Sequence, residues 1–180
     1  MTRVAIQGVK GSYGEEAAQQ LFGGEVSIVE CRDFDETFAA VRRGDAENAV
    51  VPVMNKIVGE IRRPVELLAE GTLKVLEQVP LRVRHVLAGT ADAEFEKLDS
   101  VRSHIEALKQ CRSFLAAHPQ LAQIADSDTA SSVRRIVEDA TETHAAIGSR
   151  RAAELYGAKI LREDIADDID NWTTFYLIGN

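Results

Sequence analysis

Apolar residues fall along the chain in two rhythms, short continuous runs and stripes at helical spacing. Their alternation predicts an α/β protein. Val4-Ala5-Ile6 reads as a buried strand over 4–7, and an amphipathic helix over 13–22 follows. A strand at 26–30, a helix over 34–43 and a strand at 49–53 continue the series. Asp33 caps the second helix, Phe34, Phe38 and Val41 form its apolar face, and Gly44 closes it. A loop at 55–59 comes next, then a helix over 61–69 with Pro64 in its first turn. The stretch from 73 to 87 is extended and ends in the alternating run Leu81-Arg82-Val83-Arg84-His85-Val86-Leu87. Pro80 is a natural place for it to change sheet. A second βα series has strands at 100–103, 122–125, 145–147 and 159–162. Its helices run over 104–117, opened by a Ser103–Glu106 capping box, then 129–139, and 149–156, which ends at Gly157. An acidic loop over 163–170 and a strand at 173–178 complete the pattern.

Two βα series joined by crossovers near 80 and 165–172 predict two lobes, 1–80 with 165–180 and 81–164, with a cleft between them. In open parallel sheets the helix N-termini gather at one edge, where ligands bind. The turn Gly8-Val9-Lys10-Gly11-Ser12-Tyr13 joins the first strand to the first helix. Such a turn exposes N–H groups at the positive end of a helix and suits a phosphate or carboxylate. The same glycines equally suit a turn that only reverses the chain. Ser12 is placed to cap the helix, with Glu15 completing a capping box.

At 180 residues the chain is one domain or two small lobes, and 45% hydrophobic content is enough for a core. A net charge of −8 argues against nucleic acid as a partner. The pairs Arg42-Arg43, Arg62-Arg63, Arg134-Arg135 and Arg150-Arg151 read as solvated helix faces. No signal peptide or membrane-crossing run is evident, so the expected location is cytoplasmic. Cys31 and Cys111 lack metal-ligand spacing and read as buried thiols. The four histidines are scattered, and no metal site is expected.

Six blocks carry a resemblance. Gly8-Val9-Lys10-Gly11-Ser12-Tyr13 is similar to a Gly-Pro-x-Gly-Ser-aromatic opening. Val51-Pro52-Val53-Met54-Asn55-Lys56-Ile57-Val58-Gly59 is similar to Val-Pro-Ile-Glu-Asn-Ser-x-x-Gly. Ser103-His104-Ile105-Glu106-Ala107-Leu108 matches Ser-His-Pro-Gln-Ala-Leu, and Asp128-Thr129-Ala130 matches Ser-Thr-Ala. Ala145-Ala146-Ile147 through Leu155-Tyr156-Gly157 also matches, and Asn171-Trp172-Thr173-Thr174-Phe175 matches Asn-x-Thr-Arg-Phe. In this order they resemble the prephenate dehydratase catalytic domain over essentially the whole chain.

The resemblance implies two α/β lobes of the type II periplasmic-binding-protein architecture, with the active site between them. It implies conversion of prephenate to phenylpyruvate in phenylalanine synthesis, with loss of carbon dioxide and water and without a cofactor. Thr173, Asn55 and Ser12 take the catalytic positions. Gly11, Lys10, Lys56, His104, Thr129, Ala130, Thr174 and Phe175 take the substrate-binding ones. A homodimer or homotetramer is implied. No ACT domain is expected after the last strand, nor feedback by that route.

The departures fall within the motifs: Met54 and Lys56 stand for Glu and Ser, Glu106 for Gln, Asp128 for Ser and Thr174 for Arg. Arg holds a carboxylate bidentately and Thr cannot. Lys10 and Lys56 could supply replacement charge, or Lys56 could be solvated surface. Two other readings stay open beside the dehydratase: a decarboxylase that keeps the ring hydroxyl, and a silent module that binds a small carboxylate.

Overall fold

The computed structural model of the chain describes residues 1–24 and 26–180. They form two compact units, Met1–Val83 with Asp170–Asn180, and Arg84–Ile169. No helix among the described residues is long and apolar enough to cross a membrane.

In the first unit the parallel strands β2 (Val26–Cys31), β1 (Thr2–Gln7) and β3 (Asn48–Asn55) lie side by side. Strand β11 (Trp172–Gly179) enters between β3 and β5 (Lys74–Arg82), antiparallel to both. Helix α1 (Tyr13–Phe22) belongs to a core with Val4, Ile6, Val50 and Phe175. Helices α2 (Phe34–Arg43) and α3 (Arg62–Ala69) share a second core with Ala5, Val51, Val53, Phe38 and Leu67. Alternate residues of β1 therefore face different cores, which is why that strand is a continuous apolar run. The α2 boundaries follow from chemistry legible in the sequence. Asp33 Oδ1 accepts from the Glu36 N–H at 2.8 Å, and Gly44 adopts φ 80° at the C-terminus.

Two expectations change here. Pro80 does not mark a change of sheet; β5 continues through it to Arg82, with Pro80 opposite Thr174. Strand β5 lies at the edge of its sheet, where a missing N–H is tolerated. The loop after Asn55 is a hairpin, because β4 (Gly59–Glu60) pairs back on β3.

The second unit orders its strands β10 (Lys159–Arg162), β6 (Val86–Gly89), β9 (His144–Gly148), β7 (Ser100–His104) and β8 (Ala122–Asp126). Its core centres on Leu87, Val101, Leu108, Leu115 and Ile147. The helix expected over 104–117 is two, α4 (Ile105–Gln110) and α5 (Arg112–Ala117). Asp167 explains the break: its N–H donates to Gln110 O at 2.7 Å and its Oδ1 accepts from the Ser113 N–H at 2.9 Å. Helices α6 (Thr129–Glu138) and α7 (Arg150–Tyr156) complete the unit. Cys31 and Cys111 are buried and unbridged, and burial pushes the Cys111 thiol up to about 12.

His85 is buried, and its Nε2 lies 2.8 Å from Gln110 Oε1. Desolvation holds its pKa below the ordinary 6.5. The unfolded chain therefore takes up this proton first, and stability from the neutral ring is complete above 6.5 and lost as the pH falls below it. The unfolding temperature should fall less between about pH 8 and about pH 5 in His85→Gln than in the parent chain. Equal slopes would remove His85 as the cause.

Candidate active site

The glycine turn, the end of β3 and the start of β11 lie at one edge of the first sheet, because β1 and β3 run parallel and Thr173 pairs with Asn55. Asn55 is the hub. Its Nδ2 donates to Thr173 Oγ1 at 2.8 Å, to Asn171 Oδ1 at 2.8 Å and to Trp172 O at 3.3 Å. Its Oδ1 accepts from the N–H groups of Ile57 and Val58, both at 2.9 Å. One buried amide thus fixes both the hairpin turn and the first residues of β11. Because Thr173 Oγ1 accepts from an amide, its own proton is left to point elsewhere. Asn171 is fully buried, and its role as the anchor of Asn55 goes beyond the sequence reading, although it stands in the quoted motif.

The turn at 8–12 behaves differently from the expected anion cradle. Ser12 caps α1 as expected, accepting from the Glu15 N–H at 3.3 Å. The buried Glu15 carboxylate reaches past Ser12 to accept from the Gly11 N–H. The Lys10 N–H donates to Glu30 Oε1 at 2.8 Å, the Gly8 N–H to Cys31 O at 2.8 Å and the Ser12 N–H to Val9 O at 3.2 Å. The chain's own carboxylates fill the place assigned to a ligand anion. The Lys10 side chain is exposed.

Lys56 is not a bare replacement cation. Its ammonium pairs with the Asp170 carboxylate, and its N–H donates to Trp172 O at 2.8 Å. Asp170 Oδ1 also accepts from Trp172 Nε1 at 2.8 Å. Lys56, then the indole N–H, hold the Asp170 carboxyl below the ordinary carboxylate range. Phe175 is 3% exposed and packs in the core with Val4 and Ile6. Its side chain serves the core, contrary to its assignment as a substrate contact.

Two motif departures meet across the sheet. Thr174 on β11 pairs directly with Met54 on β3, and Met54 pairs with Glu60 on β4. The Glu and Arg of the resembled motifs would sit opposite each other here, so the two departures fall on one cross-strand pair. Thr174→Arg alone places a cation beside Met54, and Met54→Glu alone places a carboxylate beside Glu60. Combined, they should show a favourable coupling of about 0.5–1 kcal/mol in a double-mutant cycle by denaturant unfolding. Zero coupling would separate the two positions.

His104, Thr129 and Ala130 belong to the second unit. Ser103 does not cap α4; it remains in β7, buried, with its hydroxyl donating to Ile147 O at 2.7 Å. His104 is the cap, its Nδ1 accepting from the Glu106 N–H at 3.3 Å, which leaves the ring proton on Nε2. Asp128 caps α6 through the Ser131 N–H at 2.7 Å. Its carboxylate does there what a serine hydroxyl does. Thr129 is half-buried and Ala130 fully buried in the first turn of α6. Gly148 permits their placement: a Cβ there would lie 2.6 Å from Val133 Cγ2 and 3.1 Å from Thr129 O. Among the described residues no group of three or more His, Cys, Asp or Glu side chains could hold a metal.

Residues 4–180 match the sequence model of the prephenate dehydratase family. Arogenate dehydratase/prephenate dehydratase 2, chloroplastic, of Arabidopsis thaliana is 38% identical over 177 residues, 98% of this chain and 46% of that relative. The structure of prephenate dehydratase from Arthrobacter aurescens in complex with L-Phe superposes with a TM-score of 0.90 at 27% identity, covering 99% of this chain and 60% of that one. GqqA, described as a novel type of quorum quenching acylase, superposes with a TM-score of 0.88 at 30% identity, covering 99% of this chain and 64% of that one. The chain spans about half the length of the curated relatives it matches.

Proposed function

Because the chain belongs to the prephenate dehydratase family, we propose that it aromatises a cyclohexadiene substrate with loss of carbon dioxide and water, taking prephenate to phenylpyruvate or arogenate to phenylalanine. In this reaction the bond from the ring to its carboxylate breaks, and the electron pair moves through the diene. The ring C–O bond breaks at the far end, and the hydroxyl leaves as water after gaining one proton. What helps is a donor aimed at the departing oxygen in a site that excludes water.

The observation that carries the reading is the 2.8 Å hydrogen bond from Asn55 Nδ2 to Thr173 Oγ1. It occupies a lone pair of the hydroxyl and leaves Thr173 to act as a donor. An acyl-transfer nucleophile needs the opposite arrangement, a base that draws the proton off the oxygen. Incubation with prephenate should produce the ultraviolet absorbance of an aromatic keto acid, and incubation with arogenate should produce phenylalanine. Persistence of both substrates would refute the dehydratase reading.

A further inference from the structure

We propose that Asp170 is a specificity-determining residue, favouring a substrate with an α-ammonium group, the amino acid arogenate, over the α-keto dianion prephenate. This rests on the dehydratase reading and deepens it. The Asp170 carboxylate stands three residues before Thr173 in the segment that Asn55 pins. One oxygen accepts from the Trp172 indole N–H and the other pairs with the Lys56 ammonium. The Asp170 side chain is 62% exposed, so a cation in solution can approach its carboxylate. The adjoining indole is itself exposed. A carboxylate beside an exposed aromatic face is the chemistry that receives an ammonium, and Lys56 already places one there.

The rest of this sheet edge points the same way. Glu15 and Glu30 take the amides of Gly11 and Lys10, and position 174 carries a hydroxyl. A dianion approaching Lys56 meets an ion pair rather than a bare cation. A substrate bearing its own ammonium gains an acceptor instead.

Steady-state kcat and KM for arogenate and prephenate should be measured on the parent chain, D170N and D170E. The parent is expected to favour arogenate by at least about tenfold in kcat/KM. D170N should lower arogenate kcat/KM at least about tenfold, chiefly through KM, while prephenate turnover holds or rises as Lys56 is released. D170E should recover much of the preference. A parent that favours prephenate, or equal losses with both substrates in D170N, would overturn the assignment while leaving the dehydratase reading standing. Turnover of neither substrate by the parent would sink both.

Discussion

Thr173→Val should lower kcat by about a hundred- to a thousandfold, the usual loss when one donor to a developing oxyanion is removed. The substitution keeps the shape of a side chain that is 5% exposed. It deletes one acceptor of Asn55 Nδ2, which retains Asn171 Oδ1 and Trp172 O. The stability cost should therefore be about 1 kcal/mol, and KM should move little. Kinetics and thermal unfolding on the same preparation separate the two effects. Unchanged turnover would take Thr173 out of the chemistry, and collapse of the fold would make its role structural.

Asn55 should give the largest combined effect. Asn55→Ala leaves the N–H groups of Ile57 and Val58, and the acceptors Asn171 Oδ1 and Thr173 Oγ1, without the partner that holds them. Each buried polar group so stranded costs about 1–3 kcal/mol where water cannot reach it. Loss of about 3 kcal/mol or more is expected, together with loss of turnover. Asn55→Asp is the sharper variant. A carboxylate still accepts from Ile57 and Val58, so the hairpin turn survives. It can no longer donate, and the Thr173 hydroxyl would turn to donate to it. Stability should then fall less than in Asn55→Ala while turnover falls as far as in Thr173→Val. Turnover surviving in Asn55→Asp would show that the direction of this hydrogen bond does not matter.

Local chemistry made most elements legible in advance. Asp33 and Gly44 bound α2, Ser12 starts α1, and Gly157 ends α7. The misses share one cause, a partner distant in sequence. Asp167 divides the helix near Cys111 by bonding to Gln110 and Ser113. Pairing of β7 with β8 as far as His104 keeps Ser103 in the strand and passes the cap to an imidazole. The Asn55–Thr173 bond joins residues that the motifs named separately. Periodicity carries no trace of Lys56 meeting Asp170, of Thr174 opposing Met54, or of Glu30 meeting the Lys10 N–H in the glycine turn. Charge at a site is set by such encounters, so the fold was readable further than the electrostatics.

The most direct test of the account is the stoichiometry of products from one incubation with prephenate or arogenate. Carbon dioxide and the aromatic product should appear in equal amounts, and the rates of both should fall together by about a hundred- to a thousandfold in Thr173→Val. Carbon dioxide released with a product that is not aromatic, or aromatic product still formed by Thr173→Val at the parent rate, would contradict it.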